Sequence, residues 1–323
     1  MKDSHLLYPL SNDPKQKTIG GFDPKNPKPG IYYIPIHEYH RVLTGVVSNS
    51  YLGKLDDCPA KAKILDVETP ALLFGRALHA YTLDRGQWDR EFALVPDKPV
   101  FLENKNKNTY KDAYATFQAE NVGKQIVSRS DYDTIRFMYD AMMQNIRVKE
   151  ILTGGLREVT AIWQDVGTER NPGTGLWCKV RPDLIPDKTD SVIVDLKKTA
   201  SAKRHKFQTA IVTYGYARQG AMFLYGLSQV TGKPYDRDGI FAMVAVEDDE
   251  PYRTEVYPLD DEFLKYGFSE FRRLMRVELH CREQNYWPNF TPANLLDLRQ
   301  ASFEPIMMPG YLKEGPWEND TDG

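Results

Sequence analysis

The sequence predicts an α/β fold, a mixed central β-sheet flanked by helices. Two observations lead to it. The apolar period changes from three-and-four to two near residue 157. Strand-like segments then succeed one another, and a long helical stretch separates them from two further strands and a last helix.

In chain order, residues 1–30 are rich in Pro, Gly and Lys and read as a flexible N-terminal arm. Ser48 to Leu55 reads as the start of a helix after a Ser or Asn cap. Thr69-Pro70 opens a second helix, with Leu72, Gly75, Arg76, His79 and Leu83 along one face. Residues 97–125 are polar, with a Lys/Asn cluster at 104–108, and read as a loop or insertion. Ser130 with Asp133 resembles a capping box for a helix striped by Ile135, Met138, Met142 and Ile146. Together these make a helical insertion over about 97–150.

The strand pattern follows. Val159, Ala161 and Trp163 alternate with Glu158, Thr160 and Ile162. Leu176, Cys178 and Val180 alternate with Trp177, Lys179 and Arg181, and Asp183 continues the polar side. Ser191 to Lys197 is a short apolar strand ending in charge. A long helix is expected over 203–230, then strands at Ile240–Val246 and Tyr252–Tyr257. Asp260 caps a helix carrying Phe263, Leu264, Phe268, Phe271 and Leu274. Consecutive strands suggest an antiparallel meander, and the strand after the crossover helix suits parallel pairing. The expected unit is a single domain over 31–310, followed by a loose acidic tail at 311–323.

Composition narrows the function. The 323 residues carry 42 Lys and Arg against 45 Asp and Glu, a formal charge of −3, with 41% hydrophobic residues. That is ordinary globular composition and argues against a generally basic nucleic-acid coat, while leaving room for a local basic groove. No apolar run nears the ~18 residues that span a bilayer, so no membrane association is expected. The N-terminal residues lack a secretory pattern. Cys58, Cys178 and Cys281 are widely spaced and fit a reducing cytosol.

The informative chemistry lies in Arg181-Pro182-Asp183 and Val194-Asp195-Leu196-Lys197. On a strand Asp195 and Lys197 share a face. If the two strands are neighbours, Asp183 approaches Asp195, and two close carboxylates repel unless a cation lies between them. A hard divalent ion, Mg²⁺ or Mn²⁺, resolves that conflict. Lys197 beside it is suited to orienting a water or stabilising a phosphate.

This pattern, with Asp183, Asp195 and Lys197, resembles the PD-(D/E)XK nuclease core. Further segments resemble its RecB-like and phage exonuclease VIII (RecE-type) branches. GRALHA at 75–80 is similar to their Gly-x-x-x-His helix, and SNSYLGKLDDCPAKAK at 48–63 to their leading segment. REVTAIW at 157–163 and KVRPDLI resemble the first two strands, and YGYARQGAMF at 214–223 the Gln-bearing helix. The blocks keep the family's order over roughly residues 45–290. Two departures stand out. Lys198 occupies a usual Thr position, and Phe223 stands where RecB-type relatives carry Tyr.

The resemblance implies roles. Asp183, Asp195 and the Leu196 carbonyl would be metal ligands, with His79 and Glu158 joining them. Lys197 would position the attacking water, and Gln219 and Tyr216 would face the site. Lys179, Arg181, Lys198, Lys203, Arg204 and Lys206 would meet the DNA backbone. The implied activity is Mg²⁺-dependent 5′ to 3′ digestion of linear double-stranded DNA, leaving 3′ single-stranded overhangs. The implied partner is a single-strand annealing recombinase, the assembly a ring-shaped homo-oligomer, and the setting a phage or prophage in the bacterial cytoplasm. Some relatives hold an iron–sulfur cluster through four cysteines; three cysteines cannot supply one, so none is expected. The rival readings are a structure-specific or single-strand endonuclease on the same core, and a catalytically silent DNA-binding scaffold.

Overall fold

A computed structural model of the chain describes residues 22–301, apart from 24–25, 42, 66, 103, 168–171, 187–191, 291 and 295–296. The expected arm lies outside the described residues as far as residue 21, and the acidic tail at 311–323 does so entirely. The arm does not extend to residue 30. Phe22 is buried, its ring edge-on to Tyr32 at 5.2 Å, and a strand already begins at Gly30.

The strands among the described residues are β1 (Gly30–Tyr32), β2 (Phe92–Leu94), β3 (Gln125–Val127), β4 (Leu156–Arg157), β5 (Thr160–Gln164), β6 (Trp177–Val180), β7 (Leu184–Ile185), β8 (Val192–Thr199), β9 (Ile240–Glu247), β10 (Thr254–Pro258), β11 (Pro292–Asn294) and β12 (Asp297–Ala301). The mixed sheet has the order β10-β9-β8-β7-β4. Its β8–β9 pair is parallel, from Val192 opposite Ile240 to Thr199 opposite Glu247, and its other pairs are antiparallel. The parallel partner after the crossover is therefore as the sequence predicts. The meander itself divides, because β5 and β6 leave to form a three-stranded sheet ordered β1-β5-β6.

Local chemistry causes the division. Pro182 has no N–H to continue a ladder, so the chain steps across after Val180. Glu158 makes the earlier crossing with φ at +52°, a left-handed conformation rare for a residue with a side chain. The two crossings are tied together, since the Glu158 N–H donates to the Asp183 carbonyl at 3.1 Å.

Both faces of the mixed sheet are covered. Ile193 of β8 and Phe241 and Met243 of β9 pack with Trp163, Met222 and Phe271, under helices Tyr216–Thr231 and Asp261–Gln284. Val194, Leu196 and Val244 pack on the opposite side with Ala77, Leu78, Ile135 and Met138, from helices Pro70–Leu83 and Arg129–Gln144. Burial on both sides explains why IFAMVAV is an unbroken apolar run.

Several helices differ from expectation. Residues 97–125 are largely helical, at Pro99–Leu102 and Asn108–Glu120. The cap of helix Arg129–Gln144 is Ser128, whose hydroxyl accepts the Asp131 N–H at 3.1 Å, two residues before the expected Ser130. Ile146 leaves the apolar stripe and is 73% exposed, because Asn145 ends that helix and caps the next. On helix Pro70–Leu83 the buried residues are Ala77, Leu78, Ala80, Tyr81 and Leu83, and Leu72 is exposed. The helix expected over 203–230 is two, Arg204–Thr213 and Tyr216–Thr231. They meet at Gly215, whose φ of +65° suits glycine; a Cβ there would lie 2.7 Å from Arg218 Nη2.

Candidate metal centre

The site forms where the two sheets part. Asp195 sits mid-strand on β8 and is 2% exposed. Lys197, on the same face, brings Nζ to 2.5 Å from Asp195 Oδ2. Asp183 follows the β6 crossing, and its Oδ2 accepts the Leu196 N–H at 2.6 Å. A carboxylate thus takes a ladder position, because β7 meets β8 only at Leu184 opposite Val194.

His79 enters from helix Pro70–Leu83. Its Nδ1 is 3.3 Å from Asp183 Oδ1 and 3.8 Å from Glu158 Oε1, and its Nε2 is 3.0 Å from the Leu196 carbonyl oxygen. The other oxygen of Glu158 accepts Arg181 Nε at 2.7 Å. Gln219 Nε2 donates to Asp195 Oδ1 at 2.7 Å, and the Lys197 ammonium lies 4.6 Å from the centre of the Tyr216 ring. The structure therefore brings together Glu158, Asp183, Asp195, Leu196, Lys197, His79, Gln219 and Tyr216.

The charges are strongly coupled. Burial raises the Asp195 carboxyl to about 6; the neighbouring Asp183 charge adds to this and Lys197 opposes it. Burial also pushes Asp183 upward, but His79, Lys197 and the Leu196 amide outweigh it and hold the carboxyl below its ordinary value. Burial disfavours charge on His79 and Lys197. The carboxylates of Asp183 and Glu158 nonetheless raise His79 well above its usual value, and those of Asp195 and Asp183 raise Lys197.

The description of PDDEXK-like domains of unknown function (DUF3799) matches residues 48–293, most of the chain. The chain belongs to this PDDEXK-like family. Among solved structures, a "putative exonuclease" from Eubacterium rectale is 16% identical and aligns over 85% of this chain and 96% of that one. Its TM-score of 0.54 indicates a shared fold. The protein SSO0001 is 13% identical over 70% of this chain and 85% of that chain, with a TM-score of 0.24, too low to bear on the fold. No curated protein matches the sequence.

PDDEXK-like nucleases use divalent metals, and the residues here fit one. Single ligand atoms of His79, Glu158 and Asp183 lie within 4.8 Å of one another, a spacing one ion bridges. Asp195 Oδ2 is buried and, beyond its ion pair with Lys197, accepts no well-formed hydrogen bond. Carboxylate and carbonyl oxygens with one imidazole are donors for a hard or borderline divalent cation.

Two of the cations expected at DNA stand elsewhere in this PDDEXK-like chain. Lys179 is 6% exposed, and its ammonium donates to the carbonyls of Tyr39 at 3.0 Å and Leu43 at 3.3 Å. Burial lowers it to about 8. Arg181 is committed to Glu158, to the Ile34 carbonyl and to Thr160 Oγ1, with its side chain 8% exposed. Neither presents charge to a phosphate, because β6 lies beneath the segment from Ile34 to Leu43. Sequence reasoning missed this role for Arg181; its partners are remote in sequence and no local pattern marks them. Lys198 pairs with Asp248 and lies 5.7 Å from the Phe74 ring. Lys203, Arg204 and Lys206 are exposed around the first turn of helix Arg204–Thr213.

Proposed function

We propose that this protein is a metal-dependent exodeoxyribonuclease that digests linear double-stranded DNA, 5′ to 3′, leaving 3′ single-stranded overhangs for strand annealing. One observation carries the reading: His79, Glu158 and Asp183 bring single ligand atoms within 4.8 Å of one another, and Asp195, paired with Lys197, lies near enough for the Asp183 charge to act on it. Such a cluster is costly without a cation to bind and is suited to holding one against a phosphate.

Asp183, Asp195 and the Leu196 carbonyl would hold the ion, with Glu158 and His79 as further ligands. Mg²⁺ or Mn²⁺ would there supply Lewis-acid polarisation of the phosphate and a lowered pKa for water. The chain's own residues prepare the rest. Gln219 fixes Asp195 by its Oδ1, while Oδ2 pairs with Lys197. Arg181 holds Glu158 by one oxygen and leaves the other toward His79. Lys197 keeps its proton against Asp195 and Tyr216, so it acts as a fixed positive charge that orients the attacking water or steadies the developing phosphate charge. The exposed Lys203, Arg204 and Lys206 offer a landing surface for the backbone beyond the cut.

The experiment compares end-labelled linear duplex with covalently closed circles, with and without Mg²⁺. Metal-dependent loss of the linear form alone, abolished in Asp195→Ala, is the expected result. Degradation that persists in Asp195→Ala overturns the assigned site. Cutting of circles replaces the exonuclease with an endonuclease, and DNA binding without cutting replaces it with a scaffold. The resemblance's ring-shaped oligomer, annealing partner and phage setting belong to the same proposal, and light scattering tests the first.

A further inference from the structure

A cavity lies at the start of the helix that carries Gln219. Its volume is about 390 Å³, and Tyr214, Gly215, Arg218, Gly53 and Tyr266 line it. None of the ligand candidates contributes to it. The first turn of helix Tyr216–Thr231 therefore serves two places: Tyr216 and Gln219 face Lys197 and Asp195, while Gly215 and Arg218 face this cavity.

Its walls and floor have distinct chemistry. Tyr214 is 65% exposed, Tyr266 51% and Val212 54%, so apolar surface is exposed around this hollow. The floor is Arg218, which is 6% exposed. Its Nε donates to Asn49 Oδ1 at 3.0 Å and its Nη1 to Asp56 Oδ2 at 3.3 Å. Among the described residues Nη2 makes no hydrogen bond, and it lies between two glycines. A Cβ would come within 3.1 Å of it at Gly53 and 2.7 Å at Gly215. The absence of both side chains keeps the guanidinium edge open to the hollow. The rim carboxylates do not make the place simply acidic. Asp56 and Glu270 pair with Arg273, and Asp57 with Lys61.

We propose that this cavity is a nucleobase subsite, which receives one unstacked base of the substrate strand near the scissile phosphate. This rests on the nuclease reading above. A base is flat and apolar on its faces, which suits exposed tyrosine rings. Its edge carries both acceptors and donors, which suits a guanidinium beside paired carboxylates. A phosphate would meet the carboxylates of the rim, so the backbone lies outside and the base points in. The distances fit a connection to the metal centre. The Tyr214 and Tyr216 ring centres are 5.7 Å apart, and Tyr216 lies 4.6 Å from Lys197 Nζ. With about 3.4 Å of rise per base along a strand, Tyr214 is within the first few nucleotides of the cut.

The test measures binding without cleavage and cleavage separately. End-labelled linear duplexes, intact or with one abasic nucleotide moved stepwise inward from the end, are titrated by anisotropy in EDTA. Single-turnover cutting of the same DNAs is then followed in Mg²⁺. Stacking on an aromatic side chain is disrupted by alanine at a cost of fivefold to 150-fold in affinity, on the order of 1–3 kcal/mol per base. Tyr214→Ala should weaken the intact duplex by that factor, and Tyr214→Phe should restore it. Wild type should show one abasic position with a matching loss, and Tyr214→Ala should erase that sensitivity. Equal affinities for wild type and Tyr214→Ala, with no sensitive abasic position, overturn the subsite while metal-dependent cutting still stands. Position-specific, Tyr214-dependent binding with no cutting in Mg²⁺ keeps the subsite and overturns the nuclease reading. Absence of any DNA binding removes both.

Discussion

Arg181→Met separates the structural account of that residue from the role in DNA contact that its place in the sequence suggests. The Arg181 and Glu158 side chains are 8% and 12% exposed and meet at 2.7 Å. Removing one member of a buried, hydrogen-bonded pair costs about 3–5 kcal/mol, because the other charge is left uncompensated. Arg181 also satisfies the Ile34 carbonyl, which joins the first strand to the site. One effect acts in the opposite direction. Glu158 is held at a φ of +52°, and strain of that kind is on the order of 1–3 kcal/mol, part of which the variant would release. The expected net loss is therefore about 3 kcal/mol. With an m-value near 3 kcal/mol/M, the urea midpoint falls by about 1 M. Adding Glu158→Leu should recover most of that loss, since no charge then remains buried alone. The assay is urea unfolding followed by tryptophan fluorescence, paired with the salt dependence of DNA binding. A phosphate contact would instead leave stability intact and reduce the salt slope by about 1. That outcome would refute the reasoning.

Lys197→Met should lower single-turnover cleavage by about 10²–10⁴, as for a group acting on the reacting atoms, with little change in DNA affinity measured in EDTA. Gly267→Ala should cost about 3 kcal/mol, seen as a fall of several degrees in Tm. A Cβ there would lie 2.0 Å from the Ala217 carbonyl oxygen, and backbone cannot move aside as a side chain can. Burial lowers the Lys179 ammonium from 10.5 to about 8, so above pH 8 the folded protein releases a proton that the unfolded chain keeps. Stability should then rise with pH between about 8 and 10.5, by at most about 1.4 kcal/mol per pH unit. Lys179→Met should remove that rise, read as the difference between the two urea midpoints at pH 7.5 and 9.5. Equal slopes would contradict the lowered value.

The legible parts of this chain were those written in short-range patterns. Asp260 caps its helix as expected, and helices open at Ser48 and Thr69, each of which proves to be the cap, because a side chain bonding three residues ahead is a local event. Alternation on β8 placed Asp195 and Lys197 on one face. The same reasoning failed where the outcome depends on distant packing. Lys179 and Arg181 alternate like solvent-facing residues, yet the carbonyls that bind them come from residues 34–43. The break at Gly215 rests on its left-handed backbone and on the close approach of Arg218, neither of which a helical pattern marks. The divided meander was hidden for a related reason: Pro182 is visible as a breaker, but which sheet the chain joins next is decided by the core beyond it.

Glu158 and Asp183 stand at the two points where the polypeptide passes from one sheet to the other, bonded to each other through their backbones. The gap between acids is consequently governed by how far the two sheets splay. Replacements deep in the wall between them, around Trp163 or Cys178, would retune ion affinity without altering any ligand. The spacing of the candidate ligands thus has an adjustment screw remote from them, set by ordinary packing residues.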